Sequence, residues 1–137
     1  MEPLVQVAAI PVRRSDDGGL QVMLVTTRET RRWVVPKGWP WVDIPDHEAA
    51  AREAWEEAGI RGAIQDQACG TFVYDKRRQG NVVVPVRVVA YLMEVAEEEE
   101  DWPEREERTR AWFSLDDAVD AVGDCDLKAL LRGLVPA

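Results

Sequence analysis

The sequence predicts an α/β domain, and three observations predict it. Runs of aliphatic and β-branched residues recur on both sides of one long stretch of strong helix formers, the pattern of strands around a helix. The punctuation between them is Gly, Pro and Asp, with no internal repeat. The length of 137 residues, 46% of them hydrophobic, suits one globular core, so a single domain over 1–137 is expected.

LVQVAAIPVRR (4–14) and LQVMLVTTR (20–28) read as two strands joined by a turn at SDDGG, and RWVVP (32–36) as a short third. PKGWPWVDIP (36–45) is too rich in Pro and Gly for a regular element and reads as an ordered loop. From about Asp46 to Ala58 the run is dominated by strong helix formers, and Gly59 stands where a left-handed C-terminal cap belongs. AIQDQACGTFVYDK and NVVVPVRVVAYLMEV read as strands around the polar loop KRRQGN, and RAWFSL as a last short strand. Ser114 with Asp117 forms a capping-box-like start for DDAVDAV, and Asp124 can cap CDLKALLRGL. The acidic run from Glu97 to Arg108 reads as a solvated loop.

Charge and cysteine content exclude several function classes. Twenty-six acidic against 17 basic residues give a net charge of −9, which argues against a broad basic surface for nucleic acid or an anionic membrane. An anionic substrate must then be met by local cations or by metal ions. No apolar run approaches the roughly 20 residues needed to span a bilayer, and MEPLVQVAAIPVRR lacks the regions of a signal peptide, so a cytoplasmic location is expected. Cys69 and Cys125 suggest neither a disulfide framework nor zinc, and are expected to be reduced and partly buried.

REAWEEAG, Arg52 to Gly59, crowds three carboxylates onto one helix face. At about 100° per residue, Glu53, Glu56 and Glu57 share an arc of about 100°, while Ala51, Ala54, Trp55 and Ala58 fall opposite. Like charges at this spacing repel. A hard divalent cation, Mg²⁺ or Mn²⁺, relieves that repulsion through oxygen ligands, whereas a plain acidic surface would account for the charges equally well.

Read with the loop before it, PKGWPWVDIPDHEAAAREAWEEAGI resembles the Nudix box: Gly, five residues, Glu, seven residues, then Arg-Glu-apolar-x-Glu-Glu-x-Gly-apolar. Gly38, Arg52, Glu53, Ala54, Glu56, Glu57, Gly59 and Ile60 occupy the matching positions, and Ile44 replaces the early glutamate. The resemblance implies a Nudix α/β/α sandwich, with a mixed sheet between helices. It implies that Glu53, Glu56, Glu57 and the Gly38 carbonyl bind Mg²⁺ or Mn²⁺ and that Arg52 orients the glutamates. With its usual glutamate replaced, Arg52 has Glu48 and Glu56 within reach.

The implied reaction is hydrolysis of a phosphoanhydride bond, with Glu53 as first candidate for the base and Glu94 or the run Glu97 to Asp101 as alternatives. RRWVVPKG, GTFVYDKRR and DWPEREERTRAWF are most similar to the branch that hydrolyses diphosphoinositol polyphosphates and diadenosine polyphosphates. That similarity makes Arg28, Arg32, Lys37, Lys76, Arg78 and Arg108 candidates for binding substrate phosphates. Trp39 and Trp41 could stack on a base or pack inward, and His47, the one histidine, is expected at the surface. The implied partner is a phosphorylated small molecule, with no nucleic acid and no membrane, and the chain is expected as monomer or homodimer. A non-catalytic Nudix-like domain that binds a nucleotide or a protein partner, and a housecleaning nucleoside triphosphate pyrophosphohydrolase, are the alternatives.

Overall fold

The computed structural model describes residues 4–134. Strands β1 (Leu4–Arg14), β2 (Leu20–Thr26), β3 (Trp33–Val34) and β4 (Lys37–Gly38) come first, followed by helix α1 (Asp46–Ala58). Strands β5 (Ile60–Ile64), β6 (Gly70–Arg77), β7 (Val83–Glu98) and β8 (Arg110–Ser114) lead to helices α2 (Leu115–Ala121) and α3 (Cys125–Arg132). The sheet is mixed. β1 runs parallel to β7 and antiparallel to β2 and β4, while β5 and β6 both pair antiparallel with β7 and β8 with β2.

Strand periodicity divides the core into two layers. On β1, Val7 and Ala9 join Met23, Val25, Tyr91 and Met93 against Ala49, Ala50, Ala54 and Ala58 of α1. The alternate residues Ala8, Ile10 and Val12 point the other way, with Val22, Leu24 and Phe72, against Ala118, Val119, Leu127 and Leu131 of α2 and α3. This is the α/β/α sandwich. No helix of the described residues is long and apolar enough to cross a membrane.

The expected third strand shrinks to two residues, and the loop after it contains the two-residue strand β4, which places Gly38 opposite Val7 and Lys37 opposite Ala8. Pro36 between them has no N–H to donate, so a continuous ladder cannot pass through it. AIQDQACGTFVYDK falls into β5 and β6 around a turn, and β7 runs on to Glu98. Gly59 is left-handed at φ 66°, and Ser114 accepts the Asp117 N–H as its cap. Asp124 precedes α3 without making a side-chain cap. The helix face is rotated from the sequence reading: Glu57 and Ala58 are buried, while Trp55 is half-buried with the Arg61 guanidinium 4.0 Å from its ring. Cys69 and Cys125 are free and exposed rather than partly buried, and His47 is half-buried, 6.3 Å from the Tyr91 ring.

A β-bulge shifts the β5–β7 register between Arg61 and Gly62, and a Cβ on Gly62 would run into the Glu94 carbonyl. Backbone cannot move aside as a flexible side chain can. Gly62→Ala is expected to cost about 1–3 kcal/mol in urea unfolding. An unchanged midpoint would mean that the bulge relaxes freely.

Candidate active site

The site begins where β4 meets α1. Gly38 lies so close to Glu53 that a Cβ there would run into the Glu53 carboxyl group. A side chain there would displace the Glu53 carboxyl group from its place, whereas glycine leaves the β4 backbone beside that carboxylate. One helical turn later, Glu57 is 5% exposed, and the two carboxyl groups share a hydrogen bond. Burial pushes Glu57 up to about 9, with the Arg108 guanidinium opposing the rise. Burial also raises Glu53, and the charge on Glu56 adds to it.

Arg108 is the nearest counter-charge. Its Nη1 stands 3.8 Å from Glu57 Oε1 and donates to the Thr26 carbonyl at 3.0 Å, while Nε donates to Glu104 Oε1 at 2.7 Å. Its side chain is only 10% exposed. Arg108, a substrate-binding candidate from the sequence, thus has its Nε and Nη1 engaged by protein acceptors and faces the helix carboxylates.

The acidic run beyond β7, expected to be a solvated loop, is an ordered strap that closes the C-terminal end of α1. A helix leaves its last carbonyls without partners, and here the strap supplies donors. Glu104 N–H donates to Glu56 O at 3.0 Å, Trp102 Nε1 to Glu57 O at 3.1 Å, and Glu99 N–H to Gly59 O at 2.8 Å. Arg110 Nη1 donates to Ala58 O at 2.7 Å with its guanidinium 4.0 Å from the Trp102 ring centre. Trp102 packs against Gly59, where a Cβ would meet the indole. Glu104, half-buried beside Arg108, is a carboxylate of the site that sequence reasoning passed over. Its signal was available only as a tryptophan and two arginines embedded in the acidic run.

Other sequence assignments are corrected by geometry. Arg52 takes neither Glu48 nor Glu56 as partner; its guanidinium lies 4.9 Å from the Trp41 ring centre. Ile44, in place of the box glutamate, packs against the core beneath α1. Glu94 pairs in register with Val12, five residues along β1 from Val7, the partner of Gly38. At about 3.3 Å per residue that is roughly 16 Å away, too far for a base acting beside Gly38. Glu98 pairs with Arg13 at 3.4 Å and Asp101 with Arg105 at 3.8 Å, both as exposed ion pairs.

The remaining cations divide into two groups. Lys37 is half-buried and its ammonium is pulled below the ordinary lysine range by burial, against the attraction of Glu57. Lys76 lies 6.0 Å from the ring of Trp39. Arg28 and Arg32 occupy the loop after Thr26, the residue that anchors Arg108; Arg28 pairs with Glu107 at 3.5 Å and Arg32 Nε donates to Thr30. Arg78 is exposed on the β6–β7 hairpin. Trp39 and Trp41 are 42% and 46% exposed, so neither is packed inward.

Among the described residues, no three acidic, histidine or cysteine side chains converge as a closed cage. The donors fit a hard cation nonetheless. Mg²⁺ retains several waters and is commonly held by one or two carboxylates. Glu53 and Glu57 are pressed together beside the β4 backbone, with Arg108 as the adjacent compensating charge and Glu56 one position round the helix. Two crowded carboxyl groups and a Cβ-free neighbour make a place where an added cation relieves repulsion.

Comparison with known proteins adds to this geometry. A family model described as the NUDIX domain matches residues 3–132. Nudix hydrolase 16, mitochondrial, of Arabidopsis thaliana is 34% identical over 105 residues, covering 74% of this chain and 58% of that protein. Diphosphoinositol polyphosphate phosphohydrolase 3-beta of Homo sapiens is 33% identical over 102 residues, covering 72% and 58%. The chain thus spans little more than half the length of these curated relatives. Among solved structures, a C. elegans Ap4A hydrolase binary complex superposes with a TM-score of 0.70 at 21% identity, over 94% of this chain and 93% of that one. The NUDIX domain of Shewanella oneidensis NrtR, complexed with ADP ribose, gives 0.66 at 18% identity over 95% and 85%.

Proposed function

Because this chain belongs to the Nudix hydrolase family, we propose that it is a metal-dependent hydrolase of a phosphoanhydride bond. The substrate class is a diphosphoinositol polyphosphate, a dinucleoside polyphosphate or a related nucleoside diphosphate derivative. The observation that carries the reading is the buried Glu53–Glu57 pair beside Gly38. The names of the human relative and of the C. elegans neighbour support the two substrate classes.

In this reading Glu53, Glu57 and the Gly38 carbonyl hold Mg²⁺ or Mn²⁺, with Glu56 at the edge. What the cation supplies is polarisation of phosphoryl oxygens and neutralisation of charge on the leaving phosphate. Glu53 accepts the proton of the attacking water. Arg108, fixed by Glu104 and Thr26, opposes the rise that burial imposes on Glu57 and so favours its ionisation when the cation binds. Arg52 holds the loop before the helix through Trp41. Lys37, Lys76, Arg28 and Arg32 are the cations assigned to the non-reacting phosphates.

Product release with Mg²⁺ or Mn²⁺ tests this against diadenosine polyphosphates, diphosphoinositol polyphosphates, nucleoside triphosphates and nucleotide sugars. Metal-dependent turnover is expected with at least one of the first two, and the ranking of rates names the class. Ile44, turned into the core where the family pattern has glutamate, motivates a second reading: phosphate binding without turnover. Binding with no hydrolysis of any of these substrates would establish it.

A further inference from the structure

We propose that Tyr74, anchored through its hydroxyl by the buried Gln6, is a positioning residue that sets where the Lys37 ammonium meets the phosphates of the substrate. The inference rests on the reading that Lys37 receives substrate phosphate. Three strands bring these residues to one face of the sheet. Gln6 lies on β1, two residues before Ala8, whose register partner on β4 is Lys37. Tyr74 on β6 pairs with Val86, which in turn pairs with Leu4 of β1. The tyrosine therefore reaches across β7 toward the start of β1.

Gln6 is 4% exposed, and its Oε1 accepts the Tyr74 hydroxyl hydrogen bond at 2.7 Å. With one end fixed, the ring presents its face to the Lys37 Nζ, 4.4 Å from the ring centre. A lysine side chain loses much rotamer freedom when it is ordered by a ligand, and a prior cation–π contact removes part of that cost. The contact also opposes local charge: Glu57 and Asp124 draw the ammonium, while Lys76 and Arg108 repel it. Without a fixed ring, Lys37 would follow those charges instead of holding one position.

Calorimetric binding of tripolyphosphate to the metal-free full chain tests the arrangement. Lys37→Met is expected to weaken binding about tenfold and Tyr74→Phe, which keeps the ring but loses its anchor, about threefold. Gln6→Leu, which removes the same anchor from the other side, should match Tyr74→Phe, with melting curves verifying that each variant folds. In the Lys37→Met background, Tyr74→Phe should have almost no further effect. In turnover, Tyr74→Phe should raise KM and leave kcat unchanged, a split that a merely structural role would not produce. An undiminished Tyr74→Phe effect in the Lys37→Met background, or no effect in the wild-type background, overturns the positioning role. Wild-type binding by Lys37→Met, or no tripolyphosphate binding by the wild-type chain, overturns the Lys37 reading beneath it.

Discussion

Glu57→Gln is expected to lower metal-dependent hydrolysis by on the order of 10²–10³-fold while making the metal-free chain more stable at pH 8. The two effects have one cause. Glu57 is 5% exposed and its carboxyl is pushed up to about 9, first by burial. The unfolded chain loses that proton near the ordinary 4.5, so between about 4.5 and about 9 the folded chain holds a proton the unfolded chain has released. Stability from this group is complete below 4.5 and is lost as pH rises toward 9, by at most about 1.4 kcal/mol per pH unit. Glutamine carries no such proton, so the variant's stability should vary less over that range. Urea unfolding in chelator at pH 6 and pH 8.5 checks it: the wild type should weaken between the two, the variant much less. Parallel behaviour would mean that Glu57 is solvated in the metal-free chain.

Trp102→Ala is expected to have the second large effect, about 3 kcal/mol of stability together with loss of hydrolysis. The indole does two things at once, covering Gly59 and donating to the Glu57 carbonyl. It also supports Arg110, which donates to the Ala58 carbonyl. Removing it opens a cavity at the helix end and releases the strap that carries Glu104 and Arg108. Thermal melting and turnover should therefore fall together, whereas Trp102→Phe should keep most of the stability while losing the N–H donor. Full activity in Trp102→Ala would show that the strap does not hold Glu57 in place.

These two residues also show where sequence reading succeeds and where it stops. Helix α1 and its glycine cap were legible because local signals decide them: strong helix formers from Asp46 and a glycine at the left-handed position. The strands were legible from aliphatic and β-branched runs between turn residues, whereas the division of β1, Val7 and Ala9 to one layer and Ala8 and Ile10 to the other, appears only in the fold because its run is apolar on both faces. Glu53 and Glu57 could be paired from spacing alone. The strap could not be read, because a run of glutamates is ordinarily solvated, and only tertiary contact reveals that its backbone amides and Trp102 close a helix. Nor could the partners of Arg52 and Arg108 be read: one stacks on Trp41 and the other bridges Glu57 and Glu104, pairings set by loops rather than helix period. Glu94 looked available until the parallel register of β1 and β7 put it at the opposite end of the strand from Gly38.

The most direct test of the account is calorimetric titration of Mg²⁺ into the full chain, into Glu57→Gln and into Glu94→Gln. Saturable binding by the wild type and by Glu94→Gln, lost in Glu57→Gln, is the predicted result. Equal binding by all three would place the cation elsewhere and contradict the assignment of Glu53, Glu57 and Gly38 as its site.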